Sequence, residues 1–353
     1  MERIKLAVIF GGMSTEHDVS IVSGTSIIKN LNEDKYEIFP IYISNEGKWY
    51  EYLEEIKNIG NIKVGDKIYN IKEIQNPIEY LKNVDCIFPV LHGLYGEDGT
   101  IQGLFELVKV PYVGCKVLAS SVAMDKAYAK IIFEKAGLNQ AKYVYIRENK
   151  GKYILVDESF NEKVFELDEV SKIIEEKIKY PMFIKPSNSG SSVGINKAKD
   201  IKELKDAIKY AAKFDKKILI EEGIDGREVE CAVLGNEEVI ASCIGEVLSA
   251  GDFYSYDSKY NNSESVTVIP AQLSEDISEK IRKEAIRAFK AIDGSGLSRV
   301  DFFVEKGTNK IIINEINTLP GFTQISMYPK LFEAVGISYS ELLDRIVELA
   351  MNN

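Results

Sequence analysis

The sequence is sparing with several residue types: 353 residues hold two histidines, one tryptophan and four cysteines. It also lacks a surplus of positive charge. Asp and Glu outnumber Lys and Arg by 55 to 44, for a formal net charge of −11 at pH 7, so no broad cationic field exists to hold a nucleic-acid backbone. Cys86, Cys115, Cys231 and Cys243 lie far apart in apolar or small-residue contexts and form no CxxC pair. Buried free thiols in a reduced, cytoplasmic compartment are expected. The opening MERIKLAVIFGG breaks at two glycines, too soon for a signal-peptide core or a bilayer span, which argues against a membrane partner. No repeat occurs at any fixed period.

What remains is ordinary globular composition, 45% hydrophobic and 28% charged, in a chain long enough for two or three domains, each with its own core. Residues 6–10 read as a buried strand, followed by a glycine turn and a helix over 18–31. Strands over 37–43 and 85–90 and a helix over 101–108 continue an alternation typical of a parallel sheet. This first domain is expected over 1–114. A helix over 120–136, a strand over 142–146 and a Lys- and Glu-rich surface stretch follow. Then come a strand (182–185), a Ser/Gly loop (187–194), a helix (201–214) and another strand (217–221), a compact α+β region. The last third reads as strands over 227–234 and 238–247, a polar aromatic stretch over 249–265, a helix over 275–292 and two final strands.

Four segments carry candidate chemistry. In SRVDFFVEKGTNKIIINEINTLPGF, two apolar strands joined at Gly307 present Asp301 on one and Glu315 and Asn317 on the other. Residues two apart on a strand share a face, and carboxylates buried in such runs need positive compensation. Oxygen-only groups of this kind suit Mg²⁺. Water-facing edge carboxylates would leave a similar pattern, but Arg299, two residues before Asp301, favours a cluster. In FIKPSNSGSSVG, Lys185 ends a strand before a flexible loop; no GK[ST] follows the glycines, so this is not a Walker loop. In FPVLHGLYGEDGTIQG, a strand runs into His92, Glu97 and Asp98 within a glycine-rich loop, where α/β sheets bind ligands. His17 and His92 both fall in glycine-flanked loops, so substrate contact is expected of them. In FGGMSTEHDVS the glycines are adjacent and the dinucleotide spacing G-x-G-x-x-G is missing; Glu16 also reads as a simple helix cap.

Together GGMSTEHDVS, HGLYGEDGTIQG, MDK at 124–126, IKPSNSGSSVG, EEGIDGREV, FYSYDSKY, RVDFF, NEINTLPGF and TQISMYP resemble the D-alanine:D-alanine ligase family of the ATP-grasp superfamily. The likeness runs from residue 4 to about 345. It implies an α/β fold, α+β in the centre. An N-terminal parallel-sheet pre-ATP-grasp domain (1–114) would precede a central subdomain (115–220) and a C-terminal subdomain (221–353) with a mobile lid (249–265). It implies ATP with Lys126, Lys185 and Lys259 at its phosphates, Glu221 and Glu222 at the adenine, Glu228 on the ribose and Ser192 and Phe253 also in the nucleotide site. Two Mg²⁺, or Mn²⁺ in their place, would sit on Asp301, Glu315 and Asn317. Glu16 would orient the ammonium of a first D-alanine, with Ser191 and Tyr260 linked to it and His92 nearby. Arg299 and the Gly321 N–H would stabilise oxyanions, and Ser326 and Met327 would receive the second D-alanine.

The resemblance further implies a cytoplasmic homodimer that joins two D-alanines through an acyl phosphate for peptidoglycan precursor synthesis. Tyr260 and ISMYP look like the alanine-specific version, lactate-forming members carrying histidine at the former position. Ser255 departs from the aspartate of many relatives. A D-serine- or D-lactate-using ligase, a non-catalytic small-molecule binding protein and a nicotinamide dehydrogenase are the competing readings.

Overall fold

The structure, a computed structural model, describes residues 2–59, 62, 65–248 and 266–353. The expected lid, with Phe253, Lys259 and Tyr260, lies outside the described residues.

The first sheet contains β1 (Ile4–Gly11), β2 (Tyr36–Ile43), β3 (Trp49–Tyr52), β4 (Ile71–Glu73) and β5 (Cys86–Val90), in the order β4-β3-β2-β1-β5. β1 runs parallel to both β2 and β5, and residues 6–10 are wholly buried, which is why they read as an unbroken apolar run rather than an alternating one. The outer strands β3 and β4 are antiparallel additions. Short and half polar (WYEY, IKE), they carry no alternation to betray them, and the expected parallel sheet is in fact mixed.

The second sheet contains β6 (Tyr143–Asn149), β7 (Lys152–Val156), β8 (Glu162–Phe165), β9 (Met182–Pro186), β10 (Asn196–Ala198) and β11 (Lys217–Glu222), in the order β10-β9-β11-β6-β7-β8. The helix expected over 120–136 is two, Val117–Met124 and Lys126–Lys135, broken at Asp125. Asp125 takes an extended conformation, φ −82° and ψ 94°, and its carboxylate caps the second helix at the Tyr128 N–H. The same carboxylate accepts from Ser187 at 2.6 Å and pairs with Lys217. A side chain with local and distant partners outside the helix favours the break, and the break turns Lys126 toward the Ser/Gly loop.

The third sheet contains β12 (Gly226–Gly235), β13 (Val239–Leu248), β14 (Val266–Val268), β15 (Gly296–Glu305) and β16 (Ile311–Asn317), in the order β14-β13-β12-β15-β16, with antiparallel neighbours throughout. Two helices follow, Met327–Glu333 and Tyr339–Met351. The latter buries Leu342, Leu343, Ile346, Val347 and Ala350, the stripe expected of a helix with one covered face.

Each sheet has a cluster of its own, and that stripe adds one that the first and third sheets share. Leu6, Val8, Phe10 and Phe88 of the first sheet share one hydrophobic cluster with Tyr328, Leu331, Leu343, Ile346 and Val347 near the other end of the chain. At its rim, Tyr36 donates to Asp344 at 2.7 Å across 308 residues, and Lys35 pairs with both Asp344 and Glu348.

A testable consequence is that Ile346→Ala, which empties a fully buried site, costs about 2–5 kcal/mol. Urea denaturation measures the loss, and hydrogen exchange of the β1 amides accelerates with it. Unchanged β1 protection in the destabilised variant would mean that the two ends are energetically independent.

Candidate active site

Loops from all three sheets converge on one cleft. Glu16 follows β1, His92 follows β5, Ser191 follows β9, and Gly321 lies in the loop after β16; Lys126 and Arg299 complete the lining.

Glu16 occupies the N-cap position of the helix His17–Asn30 but makes no capping hydrogen bond. Its carboxylate instead accepts from the Ser191 hydroxyl, so the simple capping reading fails. Two glycines from two different loops make this possible. A Cβ on Gly93 or on Gly190 would stand 2.5 Å from Glu16 Oε2, closer than any side chain tolerates. Ser191 and Ser192 adopt φ 47° and 61°, a left-handed conformation uncommon outside glycine, and this turn brings Ser191 to Glu16.

His92 is buried, with Nδ1 at 3.1 Å from the Leu319 carbonyl oxygen and Nε2 at 3.1 Å from the Ser23 hydroxyl. A carbonyl can only accept, so Nδ1 carries the proton and Nε2 accepts from Ser23. Burial lowers its pKa to about 4, against the opposing Leu319 hydrogen bond, and the imidazole is neutral. Glu97 accepts from the Gly93 N–H at 2.8 Å and the Leu319 N–H at 3.3 Å. Burial, then the charge of Glu16, pushes its carboxyl up to about 8. Ser23 also accepts from the Phe322 N–H at 3.3 Å.

The third sheet supplies a transverse row of acids. Glu230 on β12 stands opposite Asp301 on β15, which stands opposite Glu315 on β16, and directly paired residues share a face. Arg299 binds Asp301 through Nε and Nη2 at 2.7 Å each and lies 3.0 Å from Glu230. Burial disfavours its charge, but Asp301 and then Glu230 more than compensate and hold its pKa well above the usual value. Asn317 donates to Asp301 at 3.1 Å. No three His, Cys, Asp or Glu side chains are grouped to hold a metal among the described residues. The Asp301, Glu315 and Asn317 set, two carboxylates and one amide, fits Mg²⁺ in donor chemistry, since that ion keeps water and phosphate oxygens for its other positions.

On the opposite side, Lys126 donates to the Ser189 carbonyl at 2.6 Å and lies 3.8 Å from Glu315. Lys185 pairs with Glu221 and reaches Asn314 at 3.4 Å. Glu222, at the end of β11, accepts from the Lys142 N–H at 2.9 Å, and Glu228 on β12 stands opposite Phe303. Ser192 and Met327 line the cleft. Ser326 accepts from the Thr323 N–H at 3.0 Å, and a Cβ on Gly321 would lie 2.9 Å from its hydroxyl.

His17 departs from expectation. It opens a helix rather than occupying a loop, and its ring contacts the Gly12 carbonyl at 2.6 Å and Tyr42 at 3.3 Å, outside the cleft lining. Two residues without an assigned role line the cleft, Glu97 and Glu230; a third, Lys130, pairs with Glu221 outside that lining. Glu230 was detectable as a carboxylate inside the apolar stretch of β12; Lys130 sits in an ordinary amphipathic helix and bears no such mark.

Three sheets meeting at a cleft of this composition form the ATP-grasp fold. Residues 5–115 match the family described as D-ala D-ala ligase N-terminus, and residues 132–348 the one described as D-ala D-ala ligase C-terminus. The chain belongs to the D-alanine–D-alanine ligase family. It is 50% identical to the D-alanine–D-alanine ligase of Acetivibrio thermocellus, covering 99% of this chain and 96% of that one. It is likewise 50% identical to the Clostridium acetobutylicum enzyme, with 98% and 97% covered. Among solved structures, the VanG D-Ala:D-Ser ligase of Enterococcus faecalis superposes with a TM-score of 0.85 at 37% identity, covering 99% and 100%. The D-alanine-D-alanine ligase of Coxiella burnetii gives 0.83 at 33%, covering 100% and 95%.

The neutral His92 makes a pH prediction. Its folded pKa lies below the unfolded value, so the unfolded chain binds the extra proton first as pH falls. Stability from this group is intact above about pH 6.5 and declines by on the order of 3 kcal/mol toward pH 4. Urea midpoints compared between wild type and His92→Gln from pH 4 to 8 should show the extra acid loss in wild type alone; parallel curves would refute it.

Proposed function

We propose that the protein joins two D-alanine molecules into D-alanyl-D-alanine with ATP, releasing ADP and phosphate, for the synthesis of peptidoglycan precursors. The observation that carries this reading is the meeting of Glu16, Ser191, Arg299 and Gly321 at one cleft in a chain half identical to D-alanine–D-alanine ligases over nearly its whole length. The family is ATP-dependent. A carboxylate is a poor electrophile, so ATP first turns the carboxylate of one D-alanine into an acyl phosphate. The amine of the second then attacks, and phosphate leaves.

Glu16, kept in place by Ser191, receives the ammonium of the first D-alanine, with Tyr260 completing the link and neutral His92 beside it. Arg299 and the Gly321 N–H face the oxyanion of the tetrahedral intermediate. Ser326 holds the second carboxylate and Met327 forms an apolar wall. Lys126, Lys185, Ser192 and Lys259 serve the phosphates, with Glu221, Glu222, Glu228 and Phe253 around the nucleoside. Asp301, Glu315 and Asn317 would hold two Mg²⁺, or Mn²⁺ in their place, which when bound neutralise charge on phosphate oxygens. Acyl phosphates hydrolyse, so a lid over 249–265 keeps water from the cleft. The domain boundaries that fit this division of labour are 1–114, 115–220 and 221–353.

We place the enzyme in the cytoplasm as a homodimer. Its four cysteines are free, and no helix among the described residues is long and apolar enough to cross a membrane. Exposed Leu107 and Leu118, on neighbouring helices, suit contact with a second copy. The likeness to a D-Ala:D-Ser ligase supports a second reading in which D-serine is the acceptor.

The test supplies ATP, Mg²⁺ and D-alanine, then offers D-alanine, D-serine or D-lactate as acceptor. The expected products are D-alanyl-D-alanine and phosphate; no phosphate release with any divalent metal refutes the ligase, and a higher kcat/KM for another acceptor reassigns it. Arg299→Met, removing one oxyanion donor, is expected to lower kcat about 100- to 1,000-fold.

A further inference from the structure

Glu221 lies between two cations. Lys185, on the neighbouring strand β9, meets one of its oxygens, and Lys130, on the helix Lys126–Lys135, meets Oε2 at 2.9 Å. All three are buried, with Lys130 the most enclosed; its side chain is 3% exposed against 12% for Lys185. The Lys130 ammonium also lies 5.2 Å from the centre of the Tyr143 ring, so it has a second, uncharged seat. Lys185, by contrast, extends toward the acids of the third sheet, reaching Asn314. One carboxylate needs one counter-ion. Here it has two, and the more open one, Lys185, also feels the charges of Glu315 and Glu228.

We propose that Lys130 is a positioning residue for nucleotide binding: it stays on Glu221 as a permanent counter-ion and thereby frees Lys185 to leave that carboxylate for the polyphosphate of ATP. This rests on the ligase reading above and extends it to a residue that touches neither substrate. Without Lys130, Lys185 is the sole compensation for a buried carboxylate. Moving it to a phosphate then strands Glu221, and a buried charge left unpaired is strongly unfavourable. The cost falls on nucleotide binding and not on D-alanine binding, whose groups lie across the cleft on Glu16 and Ser326.

The experiment measures binding of a fluorescent ATP analogue and the separate KM values for ATP and D-alanine in wild type, Lys130→Met, Lys130→Arg, Glu221→Gln and Lys130→Met/Glu221→Gln. Lys130→Met should raise Kd and KM for ATP at least about tenfold while KM for D-alanine stays within about twofold. Lys130→Arg should recover most of the loss. Glu221 also serves the adenine, so the double variant is compared with Glu221→Gln: with no buried carboxylate to compensate, losing Lys130 should change ATP affinity by less than about twofold, which keeps the test decisive if Lys130→Met folds poorly. A Lys130→Met protein with wild-type affinity for ATP overturns the proposal, as does a uniform loss in kcat and both KM values, or a double variant that loses as much ATP affinity relative to Glu221→Gln as Lys130→Met loses relative to wild type. Wild type that binds no ATP would instead overturn the ligase reading itself.

Discussion

The anchoring of one loop to a distant sheet is the constraint on which the site depends. Residues 318–323, after the last strand, carry the Gly321 amide and lead to Ser326, yet their position is set from the first sheet. His92 takes the Leu319 carbonyl, Glu97 takes the Leu319 amide, and Ser23 takes the Phe322 amide. The backbone groups so held are buried, and each would be costly to leave unpaired. Residues from opposite ends of the chain are thereby brought to hydrogen-bonding register around the same cleft.

Charge inside the cleft follows a companion rule. Arg299 is matched to Asp301 and Glu230, and Lys185 and Lys130 to Glu221. Glu16 and Glu97 are two acids close enough for the charge of Glu16 to raise the Glu97 carboxyl, with Arg299 opposing it. Fixed charges and amides in a water-poor site are also what a developing oxyanion requires, since little reorganisation is then needed during reaction.

Much of this was legible in the sequence where charge interrupts an apolar run. Asp301 and Glu315 lie within runs of Phe, Val and Ile, Lys185 ends a strand before glycines and serines, and the structure puts all three at or near the cleft. The strand at 6–10 was legible for a different reason: covered on both faces, it is an unbroken apolar run. The edge strands β3 and β4 were not, because half-polar segments of three or four residues have no resolvable period. Asp125 concealed a helix break whose causes, Ser187 and Lys217, lie 62 and 92 residues away. Lys130 gains meaning only from packing between elements. The spacing of Leu342, Leu343, Ile346 and Val347 speaks of a helix, but nothing local says that it covers the first sheet.

That last arrangement bears on how the protein comes into being. A ribosome releases β1 early and the helix Tyr339–Met351 near the end, yet Leu6, Val8 and Phe10 share their cluster with Leu343 and Ile346. Throughout translation the earliest sheet therefore lacks part of its cover, and parallel pairing with distant partners is slow to form. The nascent polypeptide exposes an apolar surface of the kind chaperones hold until synthesis is complete.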